Sequence, residues 1–191
     1  KSEVKIYRAE KIREGAIKSG YGSGVIVSRE EKADKVIFDI ITAAHVLSEN
    51  AELFEVVRLA VAFQTEKLIA VANPKIYEAK FMFGAWGHEY VALRVEVPKS
   101  EAADLDVAVA KVAPGLPQFL ETCWAAGYLG GRYPAVNKVY LSRINVQSGN
   151  YANGSPYALI MTMNFIAYGS NGGGMSGGGV FNASGEWVGL I

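Results

Sequence analysis

Three residues in this chain could together perform acyl transfer. Ser176 lies in the glycine run Gly172-Gly173-Gly174-Met175-Ser176-Gly177-Gly178, His45 closes Thr42-Ala43-Ala44-His45, and Asp106 stands in Asp104-Leu105-Asp106-Val107-Ala108-Val109. A serine hydroxyl is a weak nucleophile at neutral pH and needs an adjacent base. An imidazole serves, because its ordinary pKa of ~6.5 lies close to the working pH. The imidazole in turn needs a carboxylate to fix its tautomer and to stabilise the imidazolium that forms. The tetrahedral intermediate needs backbone N–H donors, each worth roughly 3–4 kcal/mol. Glycines around Ser176 let the chain turn so that two such groups converge, and the expected donors are Gly174 and Ser176.

Each part has a plainer reading. A glycine run with a serine is often only a loop, a histidine beside an apolar strand is often a satisfied core residue, and an aspartate before a strand is often a turn residue. Gly174-Met175-Ser176-Gly177-Gly178 also fits the Gly-x-Ser-x-Gly nucleophile elbow, but that arrangement needs a histidine after the serine. Both histidines, His45 and His88, lie upstream of Ser176. A phosphate loop fails as well, since no Gly-Lys-Ser/Thr follows the glycines. The three residues occur in the order His, Asp, Ser, which is that of chymotrypsin-type peptidases and not of subtilisin or the α/β-hydrolases. The joint occurrence in this order outweighs the separate plain readings.

Strands must position these residues. Gly24–Ser28, Val36–Ile41, Tyr90–Val97 and Val107–Val112 are short, β-branched runs bounded by glycine or charge. In Tyr90–Val97 the residues Val91, Leu93, Val95 and Val97 alternate with Ala92, Arg94 and Glu96, the period of a half-buried strand. Arg29–Lys35 reads as a charged hairpin tip. Glu49–Ala62 fits a short helical entry followed by a strand. Pro114 and Pro117 mark Ala113–Gln118 as a linker between two halves. The second half restarts at Cys123–Tyr128 and continues through Lys138–Ser142, Tyr157–Ile166 and Val180–Ile191. Many short strands with glycine-rich turns, and no long amphipathic helix, argue for an all-β barrel or sandwich.

Composition narrows the classes. The chain has 191 residues, 50% hydrophobic, which suits one compact unit or two small subdomains. Its 19 basic and 19 acidic residues balance, so no overall field draws it to nucleic acid or anionic membrane. No apolar run is long enough to span a bilayer, and Lys1–Gly20 lacks the apolar block of a signal peptide. A single cysteine, Cys123, excludes an internal disulfide and any multi-cysteine metal site. His45 and His88, with Glu89 adjacent to the latter, make a weak metal case; no metal and no cofactor is expected. Trp86, Trp124 and Trp187 are expected as core or interface aromatics.

On these motifs the chain resembles the trypsin-like, chymotrypsin-fold serine peptidases, and their bacterial HtrA-like branch in particular. Gly22–Val27 resembles the family's first strand, Ile41–Leu47 its histidine motif, and Asp106–Val112 its aspartate strand. Ala126–Gly130 resembles the opening of its second barrel, and Gly174–Asn182 with Gly185–Gly189 its serine motif and following hairpin. The resemblance implies two antiparallel β-barrels with a cleft between them: 1–20 as an N-terminal arm, 21–117 carrying His45 and Asp106, and 118–191 carrying Ser176. Asp104 rivals Asp106, which is preferred because it directly precedes the Val-Ala-Val run. Met175 stands where animal enzymes carry an aspartate that pairs with a freed N-terminus, so activation by insertion of that terminus is not expected. Ser170 takes the position resembling the floor of the primary specificity pocket, and a small neutral floor implies a small or apolar side chain at the cleavage position. The second barrel would lack its C-terminal strand and helix, so the chain is expected to be a portion of a longer protease, completed by a further segment or domain.

The function expected is that of a serine endopeptidase with a polypeptide substrate and no nucleic-acid partner. The alternative is a catalytically weak, protease-like peptide-binding or structural domain. An esterase on the same barrels would differ only in substrate. The residues do not reveal a compartment.

Overall fold

The computed structural model describes residues 1–11, 17–47, 56–63, 75–85, 89–130, 133–150, 156–167 and 173–191. The first half forms β1 (Glu3–Lys11), β2 (Ile17–Glu31), β3 (Lys35–Ala43), α1 (Ala44–Leu47), β4 (Val56–Phe63), β5 (Tyr77–Ala85), β6 (Tyr90–Pro98) and α2 (Lys99–Ala102). Its strands close a barrel in the order β1-β2-β3-β6-β5-β4, with every neighbouring pair antiparallel. The alternation expected in β6 is realised: Val91, Leu93, Val95 and Val97 are fully buried, while Arg94 and Glu96 face outward. Arg94 meets its cross-strand partner Asp39 in a two-pronged ion pair, with Nε–Oδ1 at 2.8 Å and Nη2–Oδ2 at 3.1 Å. Phe38 and Phe63 pack in the barrel core at 4.8 Å between ring centres, and Tyr77 meets Phe63 edge-on.

Two expectations for this half are corrected, and a third is met as far as it is described. Lys1–Gly20 is not an arm: β1 is a barrel strand, paired with β2 on one side and β4 on the other. Val4 and Ile6 turn into the core and are fully buried, and the charged residues around them, Glu3, Lys5 and Arg8, mask the period in the sequence. Glu49–Ala62 contributes a strand from Val56 onward, and its earlier part lies outside the described residues. Val107–Val112 is no strand of the barrel. Both edges of β3 are occupied by β2 and β6, so the run instead lies along the outside, with Ala108 N–H on the Lys1 carbonyl and Ala110 N–H on the Ile26 carbonyl. Its one bridge is Val112 with Trp187.

The second half forms β7 (Thr122–Leu129), β8 (Tyr133–Asn150), β9 (Pro156–Ala167), β10 (Gly179–Asn182) and β11 (Trp187–Leu190). They make an open antiparallel sheet in the order β11-β10-β7-β8-β9. Among the described residues, Cys123, Ala125, Val139 and Val180 pack together in its core, and burial pushes the Cys123 thiol above its ordinary range. The β10–β11 turn is fixed by Asn182, whose Oδ1 accepts from the N–H groups of Ser184 and Glu186. Trp187 donates its ring N–H to the Gly189 carbonyl, Trp124 is 39% exposed, and Trp86 and His88 lie outside the described residues. The linker Ala113–Gln118 has no regular structure, and backbone bonds from Ala113 and Lys111 to Trp187 tie it to the second sheet.

Candidate active site

The glycines of the serine loop set its path. Gly174 and Gly177 have φ of 95° and 81°, the left-handed region that glycine enters without a Cβ clash. Met175, between Gly174 and Ser176, is 1% exposed and anchors the loop inward. Four successive carbonyls are then held by protein donors: Gly173 O by Gly130 N–H at 2.7 Å, Gly174 O by the Ser23 hydroxyl at 2.8 Å, Met175 O by Gly178 N–H at 2.9 Å, and Ser176 O by Ser23 N–H at 2.8 Å. In a trans peptide the N–H points opposite to the preceding C=O. With the Gly173 and Met175 carbonyls turned to the protein, the N–H groups of Gly174 and Ser176 turn the other way. Neither donates to another of the described residues. A pair of backbone N–H groups with no protein acceptor is the kind of donor set that an oxyanion requires.

Ser23 is the brace of this loop, and nothing in its local sequence signals a functional role. It is fully buried. Its hydroxyl donates to Gly174 O and accepts from Tyr128 N–H at 2.8 Å, and its carbonyl accepts from the Thr42 hydroxyl at 2.6 Å. One residue of β2 therefore joins the serine loop to β7 of the second sheet and to the end of β3 that leads into His45.

The histidine and the serine are brought to one place. α1 continues directly from β3 and carries His45, whose side chain is 49% exposed. A Cβ placed on Gly22 would meet Val46 Cγ1 at 2.5 Å and Ser176 O at 3.1 Å, so the helix and the serine loop close on the same residue. A Cβ on Gly177 would fall on Thr42 Oγ1, and would stand 3.0 Å from Ala43 N. Arg8 Nη1 holds the His45 carbonyl at 3.0 Å. No hydrogen bond joins His45 to Ser176 among the described residues; such bonds often tighten only when substrate is bound.

The two aspartates lie elsewhere. Asp104 follows α2, with its N–H on the Glu101 carbonyl, at the end of the barrel opposite His45. There burial pushes the Tyr77 phenol up to about 12, and the nearby Glu101 and Asp104 charges add to the rise. Asp106 is bound by the Lys1 ammonium at 2.5 Å. Lys1 precedes β1, and roughly 20 Å of extended chain separates it from Arg8, beneath His45. The carboxylate that does reach His45 is that of Glu89, with Oε2 at 3.2 Å from Nδ1. Ser170 lies outside the described residues. Among the described residues no group of His, Cys, Asp and Glu is arranged to hold a metal ion, and no helix is long and apolar enough to cross a membrane.

The family described as trypsin-like peptidase domain matches residues 22–190. Among solved structures, the active form of the Rv3671c protease from M. tuberculosis is similar over 100% of this chain and 69% of its own, with a TM-score of 0.66 at 19% identity. Its inactive form gives 0.65, and Deg5 gives 0.66 at 19% identity over 99% of this chain and 78% of its own. These likenesses support the expected chymotrypsin-type fold. A search of the curated proteins finds no match to this sequence.

Proposed function

Because the chain belongs to the trypsin-like peptidase family, we propose that it is a serine endopeptidase working through an acyl-enzyme. Ser176 Oγ attacks the peptide carbonyl. His45 takes the hydroxyl proton and returns it to the leaving amine, and water then releases the acyl group by the same route in reverse. The Gly174 and Ser176 N–H groups receive the oxyanion. The observation that carries this reading is the serine loop itself, with four carbonyls bound inward and two N–H groups left facing out beside α1. The carboxylate expected from the sequence, Asp106, is held at Oδ1 by the Lys1 ammonium and takes no part in this reading.

A fluorophosphonate probe tests the proposal, because it reacts only with an activated serine. The chain is expected to gain one adduct by intact mass, and Ser176→Ala and His45→Ala to gain none. Absence of an adduct on the unaltered chain would favour the protease-like binding domain. A small neutral residue at Ser170 supports cleavage after small or apolar side chains; strict cleavage after Lys or Arg in a peptide library would oppose that specificity. Matched ester and amide substrates separate a peptidase from an esterase.

A further inference from the structure

We propose that Glu89, not Asp106, is the carboxylate that orients His45. The inference rests on the reading of Ser176 and His45 as nucleophile and base, and it assigns the third role within that site.

Three observations converge on Glu89. Its Oε2 lies 3.2 Å from His45 Nδ1, the ring nitrogen that must carry a proton if Nε2 is to act as base. Its backbone carbonyl accepts from Ala44 N–H at 3.0 Å, so the same residue also holds the start of α1. And its φ is 56°, a left-handed conformation rare for a side chain of this size, which persists only where the surroundings impose it. The register explains the placement. Ala43 is paired with Tyr90, so the residue before β6 stands beside the residues that follow β3. Glu89 and His45 are thereby delivered to one another by two adjacent strands of the barrel, β6 and β3.

Asp106 is committed elsewhere. Lys1 holds its Oδ1, and its segment is tied to Lys1 and to Ile26 by the N–H groups of Ala108 and Ala110. Glu89 therefore acts as a positioning residue. It keeps the proton on Nδ1 of the neutral ring and turns Nε2 toward solvent and substrate.

Two measurements on the whole chain test this. The first is nitrogen-15 NMR of the histidine side chains, with His45 identified by its absence in His45→Gln. The unaltered chain is expected to show His45 with its proton on Nδ1, and Glu89→Gln to shift it to Nε2, since the amide can present an N–H to Nδ1. The second is the rate constant of fluorophosphonate labelling. Glu89→Gln is expected to lower it by at least about 100-fold, as loss of the orienting carboxylate does in such sites, and Asp106→Asn to leave it within about 3-fold. Glu89 is 60% exposed, so its replacement spares the core and folding is checked by circular dichroism. An unchanged tautomer in Glu89→Gln, or collapse of labelling in Asp106→Asn alone, would overturn the proposal. An unaltered chain that takes no label would count against the peptidase mechanism, and the histidine spectra would then decide the role of Glu89 by themselves.

Discussion

Replacing Ser23 by alanine isolates the brace of the serine loop. The Ser23 hydroxyl makes two buried hydrogen bonds, giving its proton to Gly174 O and receiving one from Tyr128 N–H, each at 2.8 Å. Alanine fits the space but satisfies neither group. A buried hydrogen bond is worth about 1 kcal/mol net, but a partner left unsatisfied costs ~1–3 kcal/mol, and here two are left. Partial relaxation of the loop makes the two losses less than additive, so we expect roughly 2–4 kcal/mol of lost stability, a large share of what a domain has.

The loop should lose function beyond its loss of stability. Gly174 O would be free to turn, and with it the oxyanion-facing geometry on either side. Loss of one oxyanion donor costs ~10²–10³-fold, and a loosened donor should cost less, on the order of 10–100-fold in labelling by a fluorophosphonate. Denaturant unfolding measures the first quantity, and labelling at low temperature, where the variant is still folded, measures the second. A stability loss below about 0.5 kcal/mol would refute the energetic argument. Full-rate labelling by a destabilised but folded variant would refute the link between brace and site.

Other perturbations follow from the same contacts. Gly177→Ala puts a Cβ onto Thr42 Oγ1 at a φ of 81°, so it should abolish labelling and lower the melting temperature clearly; a variant that labels normally would contradict the loop geometry. Glu3 is buried with Oε2 unpartnered, and burial holds its carboxyl well above the carboxylate range, although the Gly179 N–H draws it partly down. A raised folded-state value means that the stability tied to the protonated form is full below the unfolded pKa of ~4.3 and is lost as pH rises through the folded value. Glu3→Gln should therefore melt above the unaltered chain at pH ~8 and lose that advantage near pH ~4, and a pH-independent difference would show the carboxyl to be solvated. Glu89→Gly keeps the left-handed backbone without strain, so it should hold or raise stability while slowing labelling; unchanged labelling would mean that the backbone of Glu89 matters and its charge does not.

The sequence made some of this site legible and hid the rest for identifiable reasons. Ser176 was readable because a tight turn with exposed N–H groups needs glycine, and Gly174 and Gly177 are the residues with positive φ. The β6 core was readable because alternate burial leaves a period of two. Glu89 carried no local signal: its position beside His45 comes from the pairing of Ala43 with Tyr90, a contact between distant segments. Asp106 carried a strong local signal, an acid before an apolar run, but β2 and β6 already flank β3, and that run lies outside the barrel. Ser23 was hidden because a single serine between two glycines looks like any turn, and only the fold shows three chain segments meeting on it. β1 was hidden because Lys5, Arg8 and their neighbours outweigh Val4 and Ile6 in composition, even though those two are the buried ones.

The site is a joint between the two sheets, and this bears on how its parts depend on one another. The serine loop takes hydrogen bonds from Ser23 of β2 and Gly130 at the end of β7, and Gly177 N–H donates to Ile191 O at 2.8 Å, just past β11. Glu3, in β1, reaches Gly179 N–H at the start of β10. The barrel has a large core of its own. The contacts that shape the serine loop are instead individual hydrogen bonds from separate segments, so they should open at lower free energy than the barrel that holds His45 and Glu89. On the proposed mechanism the base is held by the barrel and the nucleophile by the joint, so the reactivity of Ser176 would measure how well the two sheets are docked, and the order of the His45 ring the barrel alone.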